Sequence, residues 1–194
     1  MEIVKADAGY TFSEEALALG NCYLAIADKD YEYEFTIINN TATIKTTNLE
    51  YIEEVVEEFR KTNKYINIFK TLDGNFYKEY EQVPTFKLPI NIIQISKPFL
   101  NQTKITNFEK YFNPDECYLP VQIIDDEYVL LDGHHRLYTA KENYLKMVNV
   151  YLAEITNDAI YDMVYVAKER NLKNINDAVI LSDEEFASLI ELYQ

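Results

Sequence analysis

The 194-residue chain has no tryptophan, two cysteines, four glycines and only two histidines. Each scarcity excludes something. Cys22 and Cys117 lie far apart and form no CxxC pair, so neither a disulfide framework nor a thiolate metal cluster is expected. Two isolated thiols fit a reducing compartment. The opening residues 1–10, MEIVKADAGY, contain no basic start followed by an apolar run, so no export leader is read there and a cytoplasmic location is expected. No run approaches the roughly 20 apolar residues that a membrane-crossing helix needs. The P-loop pattern GxxxxGK[ST], GxGxxG and GxSxG are all absent.

Basic residues are also in deficit. Lysine and arginine total 18 against 33 acids, for a net charge of −15. The imbalance is uneven. Residues 1–85 carry 16 acids and 8 bases, residues 86–150 carry 8 and 7, and residues 151–194 carry 9 and 3. A duplex-DNA binder gains affinity by displacing counterions with a basic surface, so this balance argues against duplex DNA as a partner. An acidic surface of this kind suits a basic protein partner.

Apolar residues nevertheless make up 48% of the chain, and 17 tyrosines and 10 phenylalanines supply an aromatic core. The patterning predicts an α+β fold. Strands are expected at 22–28, 31–38 and 41–47, the first two joined by an Asp-Lys-Asp turn at 28–30. In residues 48–63, Ile52, Val55, Val56 and Phe59 share one helix face. Thr47 or Asn48 is placed to cap that helix, and Glu50, Glu53 and Glu54 to complement its dipole. Residues 64–70 and 75–81 alternate as strands around a Leu-Asp-Gly turn. Pro84 and Pro89 then punctuate the chain, giving an accessory α+β domain over 1–88 and a second domain over 89–194. In the second, a strand is expected at 90–96 and a helix at 101–113. A hairpin over 119–132 turns at Asp126, and a helix from His135 to Lys146 carries Leu137, Ala140 and Tyr144 on one face. A strand at 147–155 and two C-terminal helices follow. Ile160, Met163, Val164 and Ala167 line the first of these. Phe186, Leu189, Ile190 and Tyr193 line the second, which Ser182 caps.

Both histidines stand side by side in residues 131–140, LDGHHRLYTA, directly after the hairpin. Strand, Asp-Gly, helix is an order with chemical consequences. Glycine permits a sharp turn and a close backbone approach. The first amides of a helix have no internal acceptor and sit at the positive end of its dipole, so they attract an anion. Arg136 adds a planar fork suited to phosphate or carboxylate. An anion receptor built from Gly133, His134, His135 and Arg136 is therefore expected. His134 or His135 is a candidate general acid or base, and Asp132 is the nearby hard ligand for a metal.

Residues 118–155, with 92–103 upstream, resemble the core of the ParB/sulfiredoxin-like superfamily: a hairpin, a Gly-x-x-Arg turn, a helix and a closing strand. The resemblance covers about residues 90–155. It implies a mixed-sheet α+β core carrying the smaller N-terminal part and the C-terminal helices. It also implies a nucleotide ligand (ATP, ADP or CTP) with Mg²⁺, its phosphates on Gly133, His134, His135 and Arg136 and its metal on Asp132. Ser96, Lys97, Gln102 and Thr103 in the upstream loop would face the same pocket. Sulfiredoxin-like sequences carry Gly-Cys-His-Arg here, and His134 replaces that nucleophilic cysteine. Partition proteins carry Glu-Arg-Arg after the glycine, a more basic motif. The Asp-Gly-His-x-Arg form is closest to the small-molecule kinases of the superfamily, so phosphoryl transfer or phosphate hydrolysis on a small molecule is the implied activity. Those enzymes need a catalytic carboxylate from the upstream loop. Residues 90–108 contain no acid, and Glu109 is the nearest candidate. The alternative is a non-catalytic acidic protein that binds a basic partner, as an inhibitor, an immunity protein or a nucleic-acid mimic. Nuclease activity is the weakest reading, because a polyanion must approach a chain of charge −15.

Overall fold

A computed structural model describes residues 2–5, 13, 22–27, 31–110, 112–154 and 159–192. The chain divides into two compact units, Met1–Val83 and Pro84–Gln194, each with its own sheet, and the class is α+β.

The first unit is a six-stranded sheet in the order β1-β2-β3-β4-β5-β6. Its strands are β1 (Glu2–Lys5), β2 (Cys22–Ala27), β3 (Tyr31–Ile38), β4 (Thr41–Lys45), β5 (Ile68–Thr71) and β6 (Tyr77–Glu79). All neighbours are antiparallel except β4 and β5. That parallel pair needs a crossover, and α1 (Ile52–Thr62) supplies it. The apolar face read from the sequence is the buried one: Val55, Val56 and Phe59 are fully buried, and Ile52 nearly so. Phe59 stacks on Phe35 with ring centroids 4.4 Å apart and meets Tyr23 edge-on at 5.0 Å. The cap differs from expectation. Asn48 accepts the amide of Glu50, the Tyr51 amide donates to the Tyr33 hydroxyl, and the helix begins only at Ile52. A buried tyrosine oxygen thus shares the entry with the local Asn48 side chain.

The second unit is a five-stranded mixed sheet in the order β7-β12-β10-β11-β8. Its strands are β7 (Thr85–Pro89), β8 (Ile93–Gln94), β10 (Tyr118–Ile124), β11 (Glu127–Leu130) and β12 (Met147–Leu152). A separate parallel pair joins β9 (Phe99–Asn101) to β13 (Val179–Leu181). Thr85–Pro89 pairs antiparallel with β12, so the second unit starts a few residues before the expected 88/89 boundary. The strand expected over 90–96 is a 3-10 turn at Ile90–Ile92 followed by β8 alone.

Among the described residues, four helices belong to this unit: α2 (Gln102–Lys110), α3 (His134–Glu142), α4 (Ala159–Glu169) and α5 (Asp183–Leu192). Leu137 and Ala140 of α3 are fully buried, in a core shared with Ile93, Ile95, Leu100, Leu119, Val121 and Leu130. Tyr144, expected on the same face, is 87% exposed, because α3 ends at Glu142 and Tyr144 takes a positive φ of 60° beyond it. On α4, Val164 and Ala167 are buried while Met163 is exposed. Ser182 and Glu185 cap α5 reciprocally, the Glu185 amide donating to the Ser182 hydroxyl and the Glu185 carboxylate accepting the Ser182 amide. The turn at 28–30, Tyr193, and the side chains of Ile160, Leu189 and Ile190 lie outside the described residues. Among the described residues no helix is long and apolar enough to cross a membrane.

Candidate functional site

The hairpin β10–β11 delivers the chain to residues 131–133, and α3 starts there. Asp125 and Asp126 both take positive φ, 51° and 62°, which fits a tight two-residue hairpin turn. Gly133 takes φ 84° and ψ 26° at the N-cap of α3. A Cβ at that position would lie 2.7 Å from Leu119 Cδ2. The glycine is thus demanded by the left-handed backbone and by packing onto β10. The close approach it permits is that of a leucine side chain.

The α3 hydrogen-bond ladder begins where the Leu137 amide donates to the Gly133 carbonyl, at 2.8 Å. The amides of residues 133–136 lie at the positive end of the helix dipole. Arg136 folds back beneath this first turn. Its side chain is only 10% exposed, its Nη1 donates to the Tyr118 carbonyl at 3.5 Å, and its Nη2 lies 3.9 Å from the half-exposed Asp132 carboxylate. Both are long contacts for a guanidinium. Cys117 is buried nearby; burial pushes its thiol up to about 11, with the Arg136 charge pulling weakly the other way.

The two histidines hold the loop in front of α3. His134 is 3% exposed, and its Nε2 accepts the backbone amides of Ser96 and Lys97, each at 3.1 Å. The Ser96 hydroxyl, also 3.1 Å from Nε2, gives its proton to the Leu130 carbonyl at 2.8 Å. Two amide protons aimed at one imidazole nitrogen assign the ring's hydrogen to Nδ1 and make it neutral. His135 is half-buried, and its Nε2 accepts the Asn101 amide at 3.0 Å. Three backbone amides of the segment 96–101 are therefore stitched to one helical turn.

The structure brings part of the expected set together. Lys97 is exposed and its amide is on His134. Gln102 is exposed, its amide group reaching Thr106 at 3.4 Å along its own helix. Thr103 donates its hydroxyl to Asp183 at 2.9 Å. Glu109 is exposed seven residues along α2 from Gln102, roughly 10 Å down the helix axis. Asn101 and Asp183 escaped sequence reasoning. Asn101 Nδ2 donates to Asp183 at 2.6 Å and Asn101 Oδ1 accepts the Lys104 amide at 2.8 Å. A polar side chain after Leu100 and before a helix is a legible cap signal, but a partner 82 residues away is not.

Asp132 makes a poor fit to a dedicated metal site. Among the described residues no group of three or more His, Cys, Asp or Glu gathers as ligands. A guanidinium 3.9 Å from the carboxylate also opposes a second positive charge.

No protein-family model and no curated protein matches the chain. Among solved structures it is similar to protein Atu1540 from Agrobacterium tumefaciens, at 18% identity and a TM-score of 0.38 over 56% of this chain and 66% of that one. It is also similar to the C-terminally truncated chromosome-partitioning protein ParB from Caulobacter crescentus, complexed with CTP-gamma-S. There the identity is 19% and the TM-score 0.29, over 45% of this chain and 53% of that one. The chain thus spans just under two thirds of the first protein and about half of the second. Both likenesses are slight, and neither assigns the chain to a family.

Proposed function

We propose that the unit 84–194 binds a phosphate-bearing small molecule, a nucleotide in the first instance, at the start of α3. One observation carries this reading: the guanidinium of Arg136, only 10% exposed, lies in the first turn of a helix that a positive-φ glycine opens. Buried positive charge beside a helix N-terminus suits an anion. Arg136 would supply charge and a two-pronged donor, and the amides of 133–136 the remaining hydrogen bonds.

The histidines take a positioning role in this reading. Both Nε2 atoms already accept amides, so His134 and His135 hold the segment 96–101 against α3 rather than move protons through those atoms. Phosphoryl transfer or phosphate hydrolysis on a small molecule is the finer proposal. It leaves Glu109 as the carboxylate to accept a substrate proton, from a helix that packs beside α3. Mg²⁺ would then arrive on the ligand's own phosphates, without a protein cage at Asp132.

Calorimetry of the full chain with phosphate, ATP, ADP and CTP, with and without Mg²⁺, tests the reading. One of these ligands should bind, and Arg136→Lys, which keeps the charge but removes the fork, should weaken it at least about tenfold. Silence across the panel, or equal affinity for the variant, refutes it. Steady turnover of ATP or CTP, lost in Glu109→Gln, would establish the finer proposal.

A further inference from the structure

The chain's two histidines are neighbours in different surroundings. His134 is buried and accepts two amides through Nε2. His135 is half-buried and accepts one, the amide of Asn101, at 3.0 Å. A nitrogen that accepts carries no hydrogen, so the His135 ring is neutral in this arrangement, with its hydrogen on Nδ1. An imidazolium donates from both nitrogens and has no lone pair to offer. Protonation of His135 and its bond to Asn101 therefore exclude each other. Asn101 is a junction. It is 5% exposed, its Oδ1 accepts the Lys104 amide at the start of α2, and its Nδ2 donates to Asp183, the first residue of α5. Its backbone pairs with Leu181 of β13. One imidazole thus stands behind the attachment of α2 and of the C-terminal segment to α3.

We propose that His135 is a pH-operated latch: neutral, it clamps Asn101, and with it the starts of α2 and α5, to the first turn of α3; protonated, it releases them. The inference needs no ligand at α3 and stands apart from the reading of that turn as an anion site. The charges around the ring oppose one another. On its own helix Arg136 follows directly, and the positive end of the dipole acts in the same sense, while Asp132 stands three residues before. From α2 come Lys104 near the start and Glu109 and Lys110 at the far end, and β9 brings no charge. Asp183 of α5 is committed to Asn101 and Thr103. Asp177, in the 3-10 turn Ile175–Asp177 that contacts α3, is committed to the amides of Lys173 and Asn174. The released state binds the proton and the latched state does not. The latch therefore holds above the titration of the imidazole and is lost as pH falls through it.

The test follows the imidazole NMR signals and amide hydrogen exchange of the full chain from about pH 8 to about pH 5, with exchange corrected for its intrinsic pH dependence. Protection of the Asn101 and Lys104 amides should fall at least about tenfold through the His135 midpoint. The amides of Ser96 and Lys97, held by His134, should keep theirs. His135→Gln, which does not titrate, should show flat protection over the same range. The inference is overturned if His135 titrates while Asn101 stays protected, or if the ring stays neutral throughout. It is also overturned if Ser96 and Lys97 lose protection together with Asn101, or if His135→Gln keeps the wild-type pH dependence. Should His135→Gln fail to fold, the wild-type titration decides alone.

Discussion

Gly133 answers two demands at once. Its φ of 84° belongs to the left-handed region, and a Cβ there would press on Leu119 Cδ2 at 2.7 Å. Gly133→Ala should therefore destabilise the second unit by about 2–4 kcal/mol, the sum of left-handed strain and overpacking, measured by urea unfolding. His134 carries a comparable load. Removing its ring takes the imidazole acceptor away from the amides of Ser96 and Lys97. His134→Ala should cost about 2–4 kcal/mol, and hydrogen exchange at those two amides should rise with it. Unchanged protection there would show that the imidazole does not hold the loop. The motif itself was legible, because two histidines, a glycine and an arginine stand together in a chain poor in the first two. The roles within it were not. Residue type alone does not show that Gly133 packs against Leu119. Nor does it show that each imidazole accepts a backbone amide through Nε2.

The face of α1 and the hairpin β10–β11 match the sequence reading, the faces of α3 and α4 match it in part, and the short strands β7, β9 and β13 were missed. The face of α1 and the hairpin β10–β11 follow from side chains spaced along one segment. β7 escaped because Pro84 and Pro89 bracket Thr85–Leu88 and suggest punctuation, whereas its pairing partner is β12, some 60 residues on. β9 and β13 are three residues each and pair in parallel across 80 positions, below any periodic signal. The same limit hid Asp183 from the site. Another long-range tie links α4 to the hairpin: Lys168 lies 2.7 Å from Glu127 and 3.7 Å from Asp125. Its ammonium is held above the ordinary lysine range, first by the Glu127 hydrogen bond. A partly exposed pair of this kind is weak, so Lys168→Met should change stability by less than about 1 kcal/mol in urea unfolding.

At the scale of the whole molecule, each unit buries one thiol. Burial pushes both Cys22 and Cys117 up to about 11. Unfolded thiols ionise near pH 8.5, so the unfolded chain releases these protons first. Their contribution to stability is complete below that pH and is lost as pH rises toward about 11. Denaturant midpoints should fall over that window, and a thiol reagent at pH 8 should label the native protein slowly and the unfolded protein at once. The charge of −15 makes a further demand: any anionic ligand approaches against the overall field and must find a local exception. The start of α3 is the proposed exception, and backbone amide NMR during titration with CTP tests it most directly. The largest shifts should fall on the amides of Gly133, His134, His135 and Arg136, with smaller ones at Asn101 and Thr103. Saturable shifts centred elsewhere, or none at CTP concentrations in the millimolar range, would contradict it.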